Sequence, residues 1–241
     1  MNIIFFIFLE IMVFLLSGFV QGAMGFGFAL VAVPLLSAFL PIRELIPIIT
    51  IIGAVISIQL YCHERQNLDL KRIRPLIISG IVGTFAGSYA LIAVDPKVLK
   101  SAAGMVIIAT AIMLALGFRV KIKKEKQSML LVGLISGLLQ GSISLAGPPF
   151  VLFLANMGTD KDTFRANVCA YFLILSVYAL IIQAIMKIVN EQSIKGSLIF
   201  IPCAVVGNYF GIKVSSKLKE NVFKKVVLVL IAVTGLISVI F

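Results

Sequence analysis

The chain has 241 residues, 61% hydrophobic and only 13% charged, with a mean hydropathy of +1.14. A soluble domain carries about twice that charged fraction, so the composition excludes an ordinary soluble enzyme and indicates a polytopic helical membrane protein. The net charge of +11 sits in short loops between apolar runs, the pattern of cytoplasmic loops in a membrane protein, and no nucleic-acid partner is expected.

Ten apolar segments follow one another, at about 3–20, 28–40, 44–61, 75–94, 98–118, 128–140, 147–157, 166–186, 196–212 and 224–241. The first follows no basic n-region and is interrupted by Glu10, so it reads as a membrane segment rather than a signal peptide. The second and seventh are too short to cross about 30 Å of hydrocarbon at about 1.5 Å per residue. They are expected to be half-helices or the arms of hairpins that dip into the bilayer and return.

The order of features repeats. Gly18, Gln21 and Gly22 align with Gly137, Gln140 and Gly141, and Val82–Gly87 aligns with Val206–Gly211. Asp95–Lys100 resembles Lys219–Lys224, each opening the last segment of its half. The expected fold is one all-α transmembrane domain over 1–241, with internal repeats at about 1–120 and 121–241 of five segments each. The loops at 61–74, 119–126 and 213–225 hold 14 of the 21 basic residues and can share one side, which the positive-inside rule makes cytoplasmic. Segment three then runs inward and its counterpart, segment eight, outward. The repeats are therefore expected to be inverted, with both termini outside.

Each half carries a glycine-rich break with a polar amide, Gly18–Gly27 and Gly137–Pro149. Irregular backbone within a membrane is tolerated only where it is buried in protein or lines a cavity. Paired breaks in two repeats are the best sequence pointer to a transporter's substrate site. Each break precedes a short helix, at about Phe28 and Pro149, whose first-turn N–H groups lack internal acceptors and carry the positive end of the dipole. Two such ends meeting near the midplane would hold an anion without a buried cation. The candidate binding residues are Gln21, Gly22, Gly25, Gly27, Gln140, Gly141, Ser142, Ser144, Gly147 and Pro148. Glutamine amides and serine hydroxyls are the donors, and glycines allow close backbone approach. The competing reading makes Gln and Ser interhelical glue and the glycines packing.

Arg165 and Asn167 open segment eight and are placed with the binding set, Arg165 as an anion recruiter at the cytoplasmic mouth. Glu10 is a candidate to carry a coupling proton. Thr50, Asn156, Gln183 and Asn208 could line a path without a ranking among them. The cysteines Cys62, Cys169 and Cys203 lack metal-type spacing, and His63 has no nearby ligand partner, so neither a metal site nor a cofactor is expected. No catalytic constellation is recognised, and the absence of a Walker-type motif excludes ATP consumption by this chain.

Gly22-Ala23-Met24-Gly25-Phe26-Gly27 followed by Val33-Pro34-Leu35-Leu36 resembles the first-repeat signature of the sulfite exporter TauE/SafE family. Gly137 to Gly158 followed by Phe164–Phe172 resembles its second-repeat signature. The likeness covers essentially the whole chain. It implies a bacterial or archaeal inner-membrane transporter of small sulfur-containing anions such as sulfite or organosulfonates. The family's second break commonly reads as a run of glycines before the proline. Here it reads Ser142-Ile143-Ser144-Leu145-Ala146-Gly147, so hydroxyls replace some bare backbone. The expected function is a secondary transporter of a small anion working by alternating access, with an anion channel as the first alternative and an intramembrane enzyme or assembly factor as the second. The expected partners are that anion and the bilayer, with homo-oligomerisation left open.

Overall fold

The computed structural model describes residues 3–115, 125–158 and 160–215. They form α1 Ile3–Met24, α2 Phe28–Leu36, α3 Ile42–Glu64, α4 Leu70–Ala93, α5 Pro96–Ala115, α6 Glu125–Ile143, α7 Gly147–Asn156, α8 Lys161–Ile185 and α9 Glu191–Ser215, with no strand among the described residues. The expected tenth segment and the basic residues Arg119, Lys121, Lys123, Lys124, Lys217, Lys219, Lys224 and Lys225 lie outside the described residues. Five helices (α1, α3, α4, α8 and α9) are long and apolar enough to cross a membrane. The two segments expected to be short are short: α2 has nine residues and α7 ten.

Local chemistry sets the helix starts. At one end of the molecule carboxylates cap them: Asp69 accepts the Arg72 N–H for α4, and Asp160 accepts those of Asp162 and Thr163 for α8. Such caps satisfy backbone donors that a helix start leaves without partners. The two short helices start inside the protein without a capping side chain on the preceding residue.

Contacts fix the relative directions. The Phe6 and Phe39 rings meet edge to face at 5.6 Å, so α2 folds back along α1 and α3 starts at the end where α1 starts. Arg43, near the start of α3, donates at 2.8 Å to the carbonyls of Ile92 and Val94 at the end of α4, so α4 runs against α3. α1 packs on α9 through glycines set against backbone: Gly18 on Ala204, Gly22 on Asn208, Gly207 on Leu15 and Gly211 on Phe19. α4 packs on α6 in the same way, with Gly137 on Gly80, Gly141 on Thr84, Gly83 on Leu134 and Gly87 on Leu138. Contacts advance along both members of each pair together, so each pair runs in one direction. Aligning the two halves carries each contact of the first set onto one of the second.

Between lipid-embedded helices there is no hydrophobic drive to associate, and small residues that let backbones touch provide the packing energy instead. Large apolar side chains correspondingly stay exposed on outer faces, as with Phe85 and Tyr89 on α4 and Leu198 and Phe210 on α9. Inside, Phe14 stacks between Phe28 and Phe200 at 6.1 and 4.8 Å, and Phe150 lies flat on Tyr171 at 3.8 Å. These ring contacts fix α2 against α1 and α9, and α7 against α8.

Candidate functional site

The first break is built from Gln21. Its backbone carbonyl accepts the Gly25 N–H at 2.7 Å, ending α1, and Gly25 and Gly27 then take positive φ values of 86° and 110° that suit glycine. The Gln21 side-chain oxygen accepts the Phe28 N–H at 3.1 Å and so caps α2 from across the break. That leaves the Gln21 amide nitrogen with no partner among the described residues, on a side chain that is 5% exposed. Ala29 and Leu30 follow in the first turn, where N–H groups have no acceptor within the helix.

The second break repeats the first element and changes the rest. Ser144 donates its N–H to the Gln140 carbonyl at 3.0 Å and takes φ 57°. It stands 119 positions after Gly25, as Gln140 stands after Gln21. The Gln140 amide donates to the Ser176 hydroxyl at 3.4 Å. Thr50 donates its hydroxyl to the Ile46 carbonyl at 2.9 Å, so the 3.0 Å contact between Thr50 and Ser144 is a bond donated by Ser144. Ser136 holds the Ala146 carbonyl at 2.6 Å. α7 then opens with Gly147-Pro148-Pro149, and two of its first-turn positions carry no N–H.

Both breaks open on one cavity of about 40 Å³, room for roughly three waters at ~10–15 Å³ each and so of the size of a small oxyanion. The first break contributes Gln21, Gly27 and Phe28, and the second Gln140, Ser144 and Gly147. α3 adds Thr50 and Ser57, and α8 adds Phe172 and Ser176. No charged side chain is among the lining residues described.

The remaining sequence candidates lie elsewhere. Gly22 and Gly141 sit at the helix crossings against α9 and α4, and Gly25 faces Val168. Ser142 donates to the Leu138 carbonyl at 2.7 Å. Pro148 is buried at the start of α7 but does not line the cavity. Asn167 accepts the Asp69 N–H at 3.0 Å. Glu10 is on α1, partly buried, and away from the cavity lining. The guanidinium of Arg165 is 4% exposed and committed: it donates to Glu64 at 2.9 and 3.2 Å, to Ala23 O at 2.8 Å and to Gly22 O at 3.2 Å. It therefore closes the C-terminus of α1, where a cation complements the dipole and the free carbonyls. Of the unranked polar residues, Thr50 lines the cavity, Gln183 donates to Gly141 O at 3.4 Å, Asn208 donates to Ile56 O at 3.3 Å, and Asn156 donates to Leu152 O at 2.7 Å.

Sequence reasoning did not single out Ser57 and Ser176. Their spacing is again 119, the spacing of Gln21 and Gln140, so applying the register of the breaks to every polar residue would have found them. All three cysteines are free, and no cluster of three His, Cys, Asp or Glu suited to a metal occurs among the described residues.

A family model described as Sulfite exporter TauE/SafE matches residues 10–237. No curated protein and no solved structure matches the chain.

Proposed function

Because the chain belongs to the sulfite exporter TauE/SafE family, we propose that it is a secondary transporter of a small sulfur-containing anion, sulfite or an organosulfonate, working by alternating access in a cell membrane. The observation that carries this reading is the neutral, donor-lined cavity where both breaks meet. An anion held there sits between two halves that can rock about it.

Two further features support the transport cycle. α1 and α9 run together, as do α4 and α6, and α4 runs against α3; an inverted repeat requires that arrangement. The basic residues Arg65, Lys71, Arg72, Lys126 and Lys213 fall where α3 and α9 end and where α4 and α6 start. Those four termini lie at one end of the molecule, which we take as cytoplasmic, leaving the start of α1 outside.

The test is calorimetric titration of the purified protein with sulfite, sulfate, thiosulfate, methanesulfonate and chloride, repeated on Gln21→Ala and Gln140→Ala. A hydrogen bond to a charged group is worth about 1.5–3 kcal/mol, so selective binding of a sulfur anion should weaken about tenfold or more in Gln21→Ala, which removes a free amide nitrogen, and less in Gln140→Ala, which loses the bond that places the Ser176 hydroxyl. Binding that ignores both substitutions would sink the cavity as the substrate site. Saturable flux in liposomes, rather than conductance linear in anion concentration, distinguishes the carrier from a pore.

A further inference from the structure

We propose that the cavity selects its cargo by charge and takes only singly charged oxyanions. For sulfite, the transported species is then hydrogen sulfite. This rests on the cavity being the substrate site.

The argument begins with the donors. No cationic side chain lines the cavity among the described residues. Arg165 is tied to Glu64 and to the end of α1. Several neutral donors are already used: Ser144 on Thr50, Thr50 on Ile46 O, and the Gln140 amide on Ser176. Pro148 and Pro149 supply no N–H. Among those that remain are the free Gln21 amide nitrogen, the Ser57 and Ser176 hydroxyls, and the first-turn N–H groups of Ala29, Leu30 and Gly147. The rest of the wall is apolar, with Phe28, Leu30, Ile49, Leu145 and Phe172.

Dehydration cost rises with the square of the charge, so bringing a dianion into such a wall costs about four times what a monoanion of equal size costs. A few neutral donors on one side of an apolar cavity match one negative charge and leave a second uncompensated. The apolar side suits the carbon end of a sulfonate. For sulfite, protonation of the dianion to HSO₃⁻ removes the second charge before binding. The proton then crosses on the cargo and is released by the reverse ionisation on the other side. No protein carboxylate needs to carry it. Glu10 on α1, Glu64 on α3, and Arg165, Cys169, Tyr171 and Tyr178 on α8, ionisable groups on helices around the cavity, are not among its lining residues.

The experiment is competition calorimetry on the full-length protein in detergent, with methanesulfonate, sulfate and sulfite at one pH below and one above the second ionisation of sulfite. Methanesulfonate, singly charged at both, should bind equally at both. Sulfite affinity should fall about tenfold per pH unit above that ionisation, and sulfate should fail to displace methanesulfonate. Ser57→Ala should weaken methanesulfonate and sulfite alike without changing the pH profile. Displacement by sulfate as effective as by sulfite, or sulfite binding that does not fall with rising pH, would overturn charge selection and leave the transport site standing. If none of the three anions bound, both would fall together.

Discussion

The two breaks start from one design and end with different duties. In each, a residue with positive φ gives its N–H to a glutamine carbonyl four residues earlier, at Gly25 and at Ser144. Beyond that point the first keeps its donors open: Gln21 caps α2 with its oxygen and presents its nitrogen. The second spends its donors holding itself together, through Ser144, Gln140 and Ser136, and replaces two N–H groups with prolines. The ends of the helices that lead into them differ as well. Gly22 O at the first is held by the charged Arg165, itself paired with Glu64, whereas Gly141 O at the second is held by neutral Gln183. Gln183 stands 119 positions after Glu64. Repetition thus conserves the path of the backbone, while the side chains around it leave donors free on one arm and engage them within the protein on the other.

The largest effect should fall where the arms are alike. A methyl group at Gly22 would collide with Asn208 O, and one at Gly141 with Thr84 O. Neither backbone can yield without separating the helices, so Gly22→Ala and Gly141→Ala should each cost about 3 kcal/mol or more and remove most folded protein from size-exclusion profiles. Equal damage is the expected result; a tolerated change at one position would break the symmetry of the two crossings.

The charged and neutral caps come next. Removing one partner of a buried ion pair costs about 3–5 kcal/mol, so Arg165→Ala should lower thermal stability markedly. Gln183→Ala removes a neutral hydrogen bond worth about 1 kcal/mol and should be mild. Arg165→Gln combined with Glu64→Gln should lose less than either charge deletion alone, because neither charge is left buried without its partner. A double variant worse than both singles would show that the charge itself, rather than the closing of α1, is what the first arm needs.

An exchange between the arms sharpens the difference in donors. Ala29 occupies the position of Pro148, and proline is tolerated in the first turn of a helix. Ala29→Pro should therefore leave folding intact while deleting an N–H at the cavity, weakening anion binding by about tenfold, the equivalent of about 1.4 kcal/mol. Unchanged affinity in a folded variant would take backbone donation by α2 out of the site.

Much of this division was legible in the sequence. Segment positions, the two short helices and the glutamine-glycine breaks follow from hydropathy, segment length and repetition. Ser57 and Ser176 were hidden because each lies within an unbroken apolar span, where a lone serine usually bonds back to its own helix; only the shared 119-residue spacing marks them. The role of Arg165 was not readable because its partner Glu64 is 101 positions away in a basic loop. Gly22 and Gly25 could not be told apart either, since a break destroys the helical phase that would say which residue faces a neighbour.

The smallest effect belongs to the helix starts at the charged end, which contrast with both interior breaks. Asp160 is exposed and caps α8, and its carboxyl is held below the ordinary aspartate range by the N–H and hydroxyl of Thr163 and the N–H of Asp162. A carboxylate with a lowered folded-state pKa contributes its full stability above the ordinary aspartate range and loses it as pH falls through the lowered value. Asp160→Ala should therefore lower the melting temperature slightly at neutral pH and flatten its decline in acid. Asp160→Asn, which still accepts both N–H groups but cannot ionise, should keep most of the neutral-pH stability and flatten the acid decline in the same way. Melting curves of the two variants across the acid range separate the cap from its charge. The interior breaks carry no such charge: Gln21 caps α2 as a neutral group, and no charged side chain lines the cavity among the described residues.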